Sequence, residues 1–294
     1  MRGRLIVVLI VLLVAADVVL ITLAVRRGHG GAVDTAAGVP VGAAAPSTTR
    51  PTLSETPGDS LDQALVAGAE SVVLRATPGS CKAGDTPALE LSTDSGATFK
   101  PTAERLDVAQ VLRVVVDSAS DVWFVGADDT CTPSIWHWDG AGSGWSQSPG
   151  SAGAWHMVPA AGSFSVHAPT GRVGVDCSVA SLSPIDGQTA RVLCATGTVL
   201  GTADDGNSWV NLGHLDAAQV MDYDSPASAV ALGSTPSCDV QAFTTSDGGS
   251  VWTSTDCLDG THAQALAYHD GSAIALVDDA VLISGDGGQT WTAP

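Results

Sequence analysis

Carboxylates are the side chains with the greatest chemical capacity in this chain, because 31 Asp and Glu accompany only 12 Lys and Arg. Two carboxylates about 5–10 Å apart are enough for glycoside hydrolysis, one acting as acid and the other as base or nucleophile. With 27 Asp among 294 residues, however, such pairs arise by chance. The abundance of carboxylates therefore does not indicate an enzyme, and other signatures must decide.

Metal-binding and nucleophilic signatures are missing from the sequence. Its histidines show neither HxxxH nor HExxH spacing, there is no GxSxG elbow, and no cysteine pair has CxxC spacing. The histidines concerned are His137, His156, His167, His214, His262 and His269. We expect them to be solvated or packed, and we predict no catalytic residue, no metal and no cofactor.

Calcium is the remaining metal hypothesis, since Asp204–Asn207 and Asp128–Asp129 place oxygen atoms close together. Neither segment matches an EF-hand loop. We therefore favour a structural role in turns for both.

Tryptophans form the most conspicuous cluster, with Trp123 and four binding candidates within 33 residues of one another. The candidates are Trp136, Trp138, Trp145 and Trp155. In a strand, Trp136 and Trp138 would share one face, opposite to Ile135 and His137. If exposed, they would stack on a sugar or anchor a protein partner. The favoured alternative is that they fill the space between neighbouring structural units.

An eight-residue pattern, Ser/Thr-x-Asp-x-Gly-x-x-aromatic, occurs four times, and we call each copy an aspartate turn. The copies contain Ser92, Asp94, Gly96 and Phe99; Thr202, Asp204, Gly206 and Trp209; Thr245, Asp247, Gly249 and Trp252; and Ser284, Asp286, Gly288 and Trp291. A degenerate fifth copy runs from His137 through Asp139 to Trp145. The carboxylate and hydroxyl can bind backbone N–H groups of a hairpin, the glycine supplies a positive φ, and the aromatic ring covers the turn. The pattern stabilises a fold and carries no chemistry by itself.

A second repeat runs in phase with the first. Gln63-Ala64-Leu65, Gln110-Val111-Leu112, Gln219-Val220-Met221 and Gln264-Ala265-Leu266 each begin a strand-like segment, and the Asp of a turn follows 22 to 31 residues later. In the last unit, four short strands are predicted at Ala263–Tyr268, Ser272–Val277, Ala280–Ser284 and Thr290–Thr292. Four antiparallel strands repeated every 40–50 residues are typical of a β-propeller.

The units fall at about 61–105, 106–150, 151–213, 214–258 and 259–294, which predicts an all-β propeller of about five four-stranded blades. The third unit is oversized because it contains Ala154–Pro169. This insertion is either a degenerate sixth blade or a surface excursion. Ring closure would require packing between the terminal blades or a strand supplied by Thr52–Asp59.

The aspartate turns resemble the Asp-box (bacterial neuraminidase) repeats of sialidases, sortilin-type receptors and propeller-type photosystem assembly factors. The resemblance covers about 61–294 and implies a propeller, but these relatives have unrelated functions. A sialidase would also need an Arg triad, a Tyr–Glu pair and an Asp acid/base. The sequence has no Arg-Ile-Pro motif, and no catalytic residue can be transferred by position. The residues available are Arg75, Arg105, Arg113, Arg172, Arg191, Tyr223, Tyr268, Glu70, Glu90 and Glu104.

The N-terminus predicts a membrane anchor. An apolar stretch, Leu5–Val25, lies between Arg2/Arg4 and Arg26/Arg27, and as a helix it would span about 31 Å. Asp17 opposes insertion by about 2.5–3.5 kcal/mol, but the surrounding Leu, Ile and Val outweigh it. We favour an uncleaved anchor at 1–27 over a signal peptide cleaved near Val14–Ala16. Residues 28–60, rich in Gly, Ala, Pro and Thr, are predicted to be a disordered linker.

All six cysteines follow the anchor, which indicates an extracytoplasmic, disulfide-permissive compartment. Of the 15 possible pairings, we prefer Cys177–Cys194, Cys238–Cys257 and Cys81–Cys131. From residue 28 onward, 8 Lys and Arg face 30 Asp and Glu, a formal charge of −22. Such a surface repels nucleic acids and anionic lipids.

The sequence as a whole favours a single-pass protein whose propeller binds a protein or cell-envelope component without enzymatic activity. One alternative is a sialidase-like glycoside hydrolase. The other is a glycan-binding module without turnover that uses the Trp136–Trp155 region.

Overall fold

The computed structural model describes residues 61, 64–103, 106–140, 144–148, 153–159 and 163–294, which belong to one compact unit, Leu53–Pro294. The predicted anchor at 1–27, the linker at 28–60 and the candidate closing strand Thr52–Asp59 lie outside these residues. Among those described, no helix is both long and apolar enough to cross a bilayer.

Six antiparallel sheets make up the described part of the chain, and each is a meander that we number as one blade. Blade 1 contains β1 Leu65–Ala69, β2 Val72–Thr77, β3 Ala88–Ser92 and β4 Lys100–Pro101; blade 2 contains β5 Gln110–Ser118, β6 Asp121–Ala127, β7 Pro133–Trp138 and β8 Trp145–Gln147; blade 3 contains β9 His156–Met157, β10 Ser165–Ala168 and β11 Gly171–Gly174. Blade 4 contains β12 Val179–Pro184, β13 Ala190–Cys194, β14 Thr198–Thr202 and β15 Val210–His214; blade 5 contains β16 Ala218–Tyr223, β17 Ala229–Thr235, β18 Cys238–Thr245 and β19 Thr253–Leu258; blade 6 contains β20 Ala263–His269, β21 Ser272–Val277 and β22 Ala280–Ser284.

The oversized third unit of the sequence is two blades, so the prediction of about five blades is corrected to six. The insertion Ala154–Pro169 contributes β9 and β10 of a small extra blade, which confirms the sixth-blade alternative. Blade 3 was obscured because its strands have only two to four residues and no aspartate turn follows them. Blades 3 and 6 are three-stranded sheets rather than four-stranded ones, although Thr292 forms an isolated bridge with Ile283 beside β22.

The first strands of the blades form a closed ring. Each packs against the first strand of the next blade, in the order β1, β5, β9, β12, β16 and β20, and β20 packs against β1. A cluster shared by blades 6 and 1, including Ile274, Val281, Val66 and Val73, fills this closing interface. Among the described residues, packing between blades 6 and 1 therefore closes the ring. This was one of the two alternatives predicted from the sequence.

Separate hydrophobic clusters fill the interfaces around the ring, because each sheet presents apolar residues on both of its faces. The interface between blades 2 and 3 is the smallest of these, with Ala154 as the buried contribution from the blade 3 side. The large clusters on the other interfaces supply most of the apolar burial that stabilises the ring.

The four aspartate turns share one hydrogen-bond pattern. In blade 1, the Ser92 hydroxyl donates to Asp94 Oδ1 (2.6 Å) and accepts from Gly96 N (2.8 Å). Asp94 Oδ1 also accepts from Thr98 N (2.8 Å). The corresponding hydroxyls of Thr202, Thr245 and Ser284 make the same two contacts in their turns. The degenerate copy differs, because Asp139 Oδ1 accepts from Ser146 Oγ (2.9 Å) across the hairpin that leads to Trp145.

The glycines of the aspartate turns are closely packed, three of them against the preceding blade and Gly249 against its own blade. A Cβ added to Gly206, Gly249 or Gly288 would collide with Val173 of blade 3, Tyr223 of blade 5 or Val230 of blade 5, respectively. A Cβ added to Gly96 of blade 1 would lie 3.0 Å from Val281 of blade 6, so this turn contributes to ring closure. These glycines have positive φ angles between 76° and 102°. A larger residue would therefore be strained as well as crowded.

The two ends of the propeller differ in chemistry. In a four-stranded meander, the connections between strands 1–2 and 3–4 lie on one face, while the 2–3 connections and the links between blades lie on the other. All four aspartate turns lie on the first face, which we call the aspartate-turn face. The disulfides Cys81–Cys131, Cys177–Cys194 and Cys238–Cys257 lie toward the second face, which we call the disulfide face. Their pairing is the one preferred from the sequence.

Candidate functional site

A central cavity of about 320 Å³ is enclosed by the first strands of all six blades. Its lining includes residues at or next to the ends of several of these strands, namely Asp117, Ile185, Asp224 and His269. Because the first strands end at the aspartate-turn face, the cavity extends to that face. It is the candidate functional site of the propeller.

Asp222 is the central acidic group of this cavity. One of its carboxylate oxygens accepts from Ser183 Oγ (2.6 Å), and the other accepts from the backbone N–H of Tyr268 (2.8 Å). Burial raises the pKa of Asp222 to about 6, although these hydrogen bonds and the charge of Arg113 act in the opposite direction. A buried carboxyl of this kind binds a proton at mildly acidic pH.

Arg113 is the basic group of the cavity and lies on β5, three blades away from Asp222 in the six-blade ring. Its Nη1 donates to the carbonyl oxygen of Trp155 (3.2 Å), and its guanidinium carbon is 5.4 Å from the centre of the Trp123 ring. Burial lowers the pKa of Arg113 to about 10, while Asp222 and Asp117 favour its charged form. The two charges interact across the channel without forming an ion pair within 4.0 Å among the described residues.

Two histidines from blade 3 stack beside the channel. His156 on β9 and His167 on β10 pair in the sheet, and their rings are 4.4 Å apart and nearly parallel. His156 Nδ1 donates to the carbonyl of Ala154 (2.9 Å), which places the proton of the neutral ring on Nδ1. Burial and the neighbouring His167 lower the pKa of His156 to about 3. His156 is therefore neutral at physiological pH and serves as a packed core residue.

The rim of the channel carries an Asp–His–Asp group. His269 Nδ1 is 3.8 Å from Asp224 Oδ1, and its Nε2 is 3.7 Å from Asp270 Oδ2. Asp224 Oδ1 also accepts from the backbone N–H of Asp270 (2.9 Å). Within the part of the chain that the structure describes, this is the group whose side chains could together ligate a metal ion. Distances of this length between a histidine and two carboxylates are also common on protein surfaces without a metal ion.

The residues that a sialidase would need are not brought together. Of the candidate arginines that the structure describes, Arg113 alone lines the cavity, together with Tyr223 and Tyr268. Arg75 pairs instead with Glu90 at 2.8 Å, and Arg191 donates to the carbonyl of Thr202. Arg172 donates to Ser165, while Arg105 and Glu104 lie outside the described residues. No glutamate lines the described part of the cavity, so a Tyr–Glu nucleophile pair is not formed there.

The four tryptophan candidates separate into two interfaces. Trp136 stacks on Phe124 with ring centres 6.1 Å apart, while Trp138 and Trp145 lie 5.1 Å from each other. All three pack against the cluster shared by blades 1 and 2. Trp155 is only 1% exposed between blades 3 and 4, and its Nε1 donates to the carbonyl of Asp186 (3.0 Å). Trp155 therefore offers no surface for stacking, and the four residues do not form one platform.

The two calcium candidates are placed in turns. Asp204 Oδ1 and Oδ2 accept from Thr202 and Ser208 within the aspartate turn of blade 4. Asp128 Oδ1 accepts from the backbone N–H groups of Thr130 and Thr132 (both 2.9 Å). These carboxylates have the turn-capping role favoured from the sequence.

The place of Arg113 and Asp222 in a central site was not predicted from the sequence, although a signal for both was present. Each stands three positions after the glutamine that begins a repeat, Gln110 or Gln219. The equivalent positions of the other copies are apolar, Val66 and Ala267. A charge at an otherwise apolar position of an internal repeat marks a residue with a role other than packing.

No protein-family model and no curated protein sequence matches this chain. Among solved structures, it is similar to YCF48 from Cyanidioschyzon merolae, at 12% identity and a TM-score of 0.44, over 74% of this chain and 80% of that one. It is also similar to the six-bladed fucose-binding lectin from Aleuria aurantia, at 11% identity and a TM-score of 0.47, over 78% of this chain and 93% of that one. A third structure, the GH74 xyloglucanase from Xanthomonas campestris, aligns at 15% identity and a TM-score of 0.32, over 78% of this chain and 38% of that one. Similarity of this degree assigns no function.

Proposed function

We propose that the protein is a membrane-anchored, extracytoplasmic and non-enzymatic propeller that binds a protein or a cell-envelope component through its aspartate-turn face. The observation that carries the proposal is the asymmetry of the two faces. The charged mouth of the channel opens on the aspartate-turn face, and the disulfides lie toward the other. A binding role also agrees with the lining of the described channel, where the residues that a sialidase would need for catalysis are not brought together.

Exposed apolar side chains support the same face. The large hydrophobic residues most exposed to solvent are Phe164, Val210 and Val251. Val210 follows the aspartate turn of blade 4 and Val251 lies within that of blade 5, whereas Phe164 lies toward the disulfide face, because the carbonyl of Ser163 accepts from the backbone N–H of Val179 at the start of blade 4. Apolar residues on consecutive blades at one end of a polar protein indicate an interaction surface.

The net negative charge of the protein limits the kinds of partner that can bind to it. With 30 Asp and Glu against 8 Lys and Arg after residue 27, long-range repulsion disfavours nucleic acids and strongly acidic partners. A neutral or basic surface on the partner is therefore expected. The three disulfides support an extracytoplasmic location, and the apolar segment Leu5–Val25 supports attachment to the membrane.

Site-specific photo-crosslinking of the full chain in its own cells tests this proposal. A crosslinking amino acid at Val210 reports on the aspartate-turn face, and one at Lys82, exposed in the β2–β3 connection, reports on the disulfide face. We expect a discrete crosslinked species from position 210 and none from position 82. Equal labelling from both positions, or none from either, would contradict the proposal.

Assays of hydrolysis test the non-enzymatic part. The full chain is expected to release no fluorophore from 4-methylumbelliferyl sialosides or neutral glycosides, because the described channel lacks the arginine triad and the glutamate. Turnover above a heat-inactivated control would overturn this conclusion.

A further inference from the structure

One aspartate turn departs from the pattern of the other three. In those three, a hydroxyl donates to the second carboxylate oxygen: Thr98 to Asp94 Oδ2 (2.6 Å), Ser208 to Asp204 Oδ2 (2.7 Å) and Thr290 to Asp286 Oδ2 (2.7 Å). In blade 5, the equivalent residue is Val251, which has no hydroxyl and is 63% exposed.

The substitution leaves half of the Asp247 carboxylate available. Asp247 Oδ1 accepts from Thr245 Oγ1 (2.8 Å) and from the backbone N–H of Val251 (3.0 Å). Among the described residues, no hydrogen-bond donor reaches Oδ2. The Val251 N–H, followed by the Thr245 hydroxyl, holds the pKa of Asp247 below its usual value. The free oxygen is therefore an anionic acceptor at neutral pH.

Asp247 and Val251 border a groove between blades 5 and 6. Its volume is about 530 Å³, which is within the range of about 300–1,000 Å³ that is typical of small-molecule sites. Blade 5 contributes Thr244 to its lining, and blade 6 contributes Tyr268 and Gln289. The Tyr268 hydroxyl is 3.2 Å from Ser228 Oγ, and Gln289 Nε2 donates to Thr244 Oγ1 (3.3 Å). The groove therefore offers hydroxyl and amide groups for hydrogen bonds, together with the aromatic ring of Tyr268 and the aliphatic side chain of Val251.

We propose that this groove binds a neutral saccharide unit, with Asp247 Oδ2 accepting a hydrogen bond from a sugar hydroxyl and Val251 contacting an apolar face of the ring. A sugar supplies both hydroxyl donors and C–H surfaces, which are the two kinds of group that the groove can complement. A divalent cation is a poorer fit, because Asp247 is the sole carboxylate that lines the described groove. Acidic sugars are disfavoured by the same free carboxylate and by the net negative charge.

This site rests on the proposed binding function and specifies a ligand class for an envelope component. It lies beside the central channel and shares Tyr268 alone with the described lining of that channel. The two proposals therefore fail independently. Loss of saccharide binding with persistent crosslinking from position 210 would contradict only the proposal for the groove. Saccharide binding without crosslinks would contradict only the proposal that a larger partner binds at the aspartate-turn face.

The decisive experiment restores the missing hydroxyl. The full chain in nanodiscs is titrated with methyl glycosides of neutral hexoses and of N-acetylglucosamine, by saturation-transfer NMR and calorimetry. We expect saturable binding of at least one glycoside and an affinity at least tenfold lower in Val251→Thr, because the introduced hydroxyl would donate to Asp247 Oδ2 as its counterparts do in the other turns. Val251→Thr should melt no lower than wild type, so the loss of binding would not be a loss of folding.

The matched control is Thr98→Val, which creates the same free carboxylate in blade 1, away from the groove. Its affinity for the glycoside should equal that of wild type. Three results would each overturn the proposal: no neutral glycoside binds the folded chain, Val251→Thr binds as wild type does, or a sialoside binds better than the neutral glycosides.

Discussion

Ser183 donates a 2.6 Å hydrogen bond through its hydroxyl to the carboxylate of Asp222, which lies 39 residues later on the neighbouring blade. The other carboxylate oxygen accepts from the backbone of Tyr268 on the blade after that. A single partly buried side chain thus joins the first strands of blades 4, 5 and 6. The protonation of this group is therefore linked to the stability of half of the ring.

Asp222 should make the propeller less stable as pH rises from about 4 to about 6. Its pKa is raised from 3.8 in the unfolded chain to about 6 in the fold, so the native state holds a proton that the unfolded state has released. This linkage corresponds to a loss on the order of 3 kcal/mol, complete above pH 6. Urea denaturation should show Asp222→Asn to be at least as stable as wild type at pH 7.5 and relatively less stable at pH 4.

The control for net charge is Asp239→Asn, since Asp239 is exposed on β18 and its side chain makes no hydrogen bond or ion pair among the described residues. Its difference from wild type should be small at both pH values. If Asp222→Asn follows the same pH profile as wild type, Asp222 does not titrate in the expected window.

The aspartate turns should show the opposite pH dependence. Hydrogen bonds from the Thr290 hydroxyl, the Thr290 backbone and the Ser284 hydroxyl lower the pKa of Asp286 to about 2. Its stabilising contribution is therefore present above about pH 4 and is lost as pH falls through about 2. Calorimetry should show Asp286→Asn melting about 2–4 °C below wild type at pH 7, with the difference disappearing near pH 2. Thr290→Ser keeps the hydroxyl and should melt like wild type. If Asp286→Asn instead melts equally far below wild type at pH 7 and at pH 2, the ionised carboxylate of Asp286 is not the source of the stabilisation.

Local chemistry explains why the turns and disulfides were predictable. An aspartate turn is complete within eight residues, so Thr245, Asp247 and Gly249 can be recognised without knowledge of the rest of the chain. Cys238 and Cys257 stand at the same end of the paired strands β18 and β19, and their short separation already favoured pairing. Contacts of this kind are encoded close together in sequence.

The candidate site was not predictable in the same way, because its residues meet only when the ring closes. Arg113 and Asp222 are separated by more than 100 residues and lie on opposite blades. The role of Trp155, in packing or in binding, was also ambiguous. A strand pattern shows which residues share a face, but it does not show which face a neighbouring blade covers. Blade 3 was ambiguous because β9 has two residues, too few to show an alternation.

Truncation of Trp155 distinguishes the packing role of a tryptophan from a binding role. Trp155→Ala should lower the free energy of unfolding by about 3–5 kcal/mol, because it leaves a cavity between blades 3 and 4 and removes the bond to Asp186. Trp138→Ala should have a smaller effect, since Trp138 is only partly buried. Chemical denaturation monitored by circular dichroism measures both. A Trp155→Ala protein with wild-type stability and impaired ligand binding would instead support a stacking role.

The disulfide between blades 1 and 2 should contribute more stability than the one near the start of blade 4. Cys81–Cys131 closes a separation of 50 residues and Cys177–Cys194 one of 17. Loop-closure entropy predicts contributions of about 4 and 3 kcal/mol, respectively. Urea denaturation of Cys81→Ala/Cys131→Ala and Cys177→Ala/Cys194→Ala should reproduce this order. The reverse order would show that strain in the folded state, or structure in the unfolded chain, outweighs loop length.

The contact between blades 4 and 5 at Gly213 offers a steric test of the ring. A Cβ at Gly213 would overlap the carbonyl oxygen of Gly249 in the next aspartate turn. Because both partners are backbone, no change of rotamer can relieve the overlap, and Gly213→Ala should destabilise the protein by about 1–3 kcal/mol. Hydrogen exchange should also become faster at 245–252, where the turn would be displaced. Gly187→Ala is the matched control, since no atom lies within 4 Å of its Cβ position, and its melting temperature should be unchanged. If the two variants melt alike, the close approach of blades 4 and 5 is not maintained in solution.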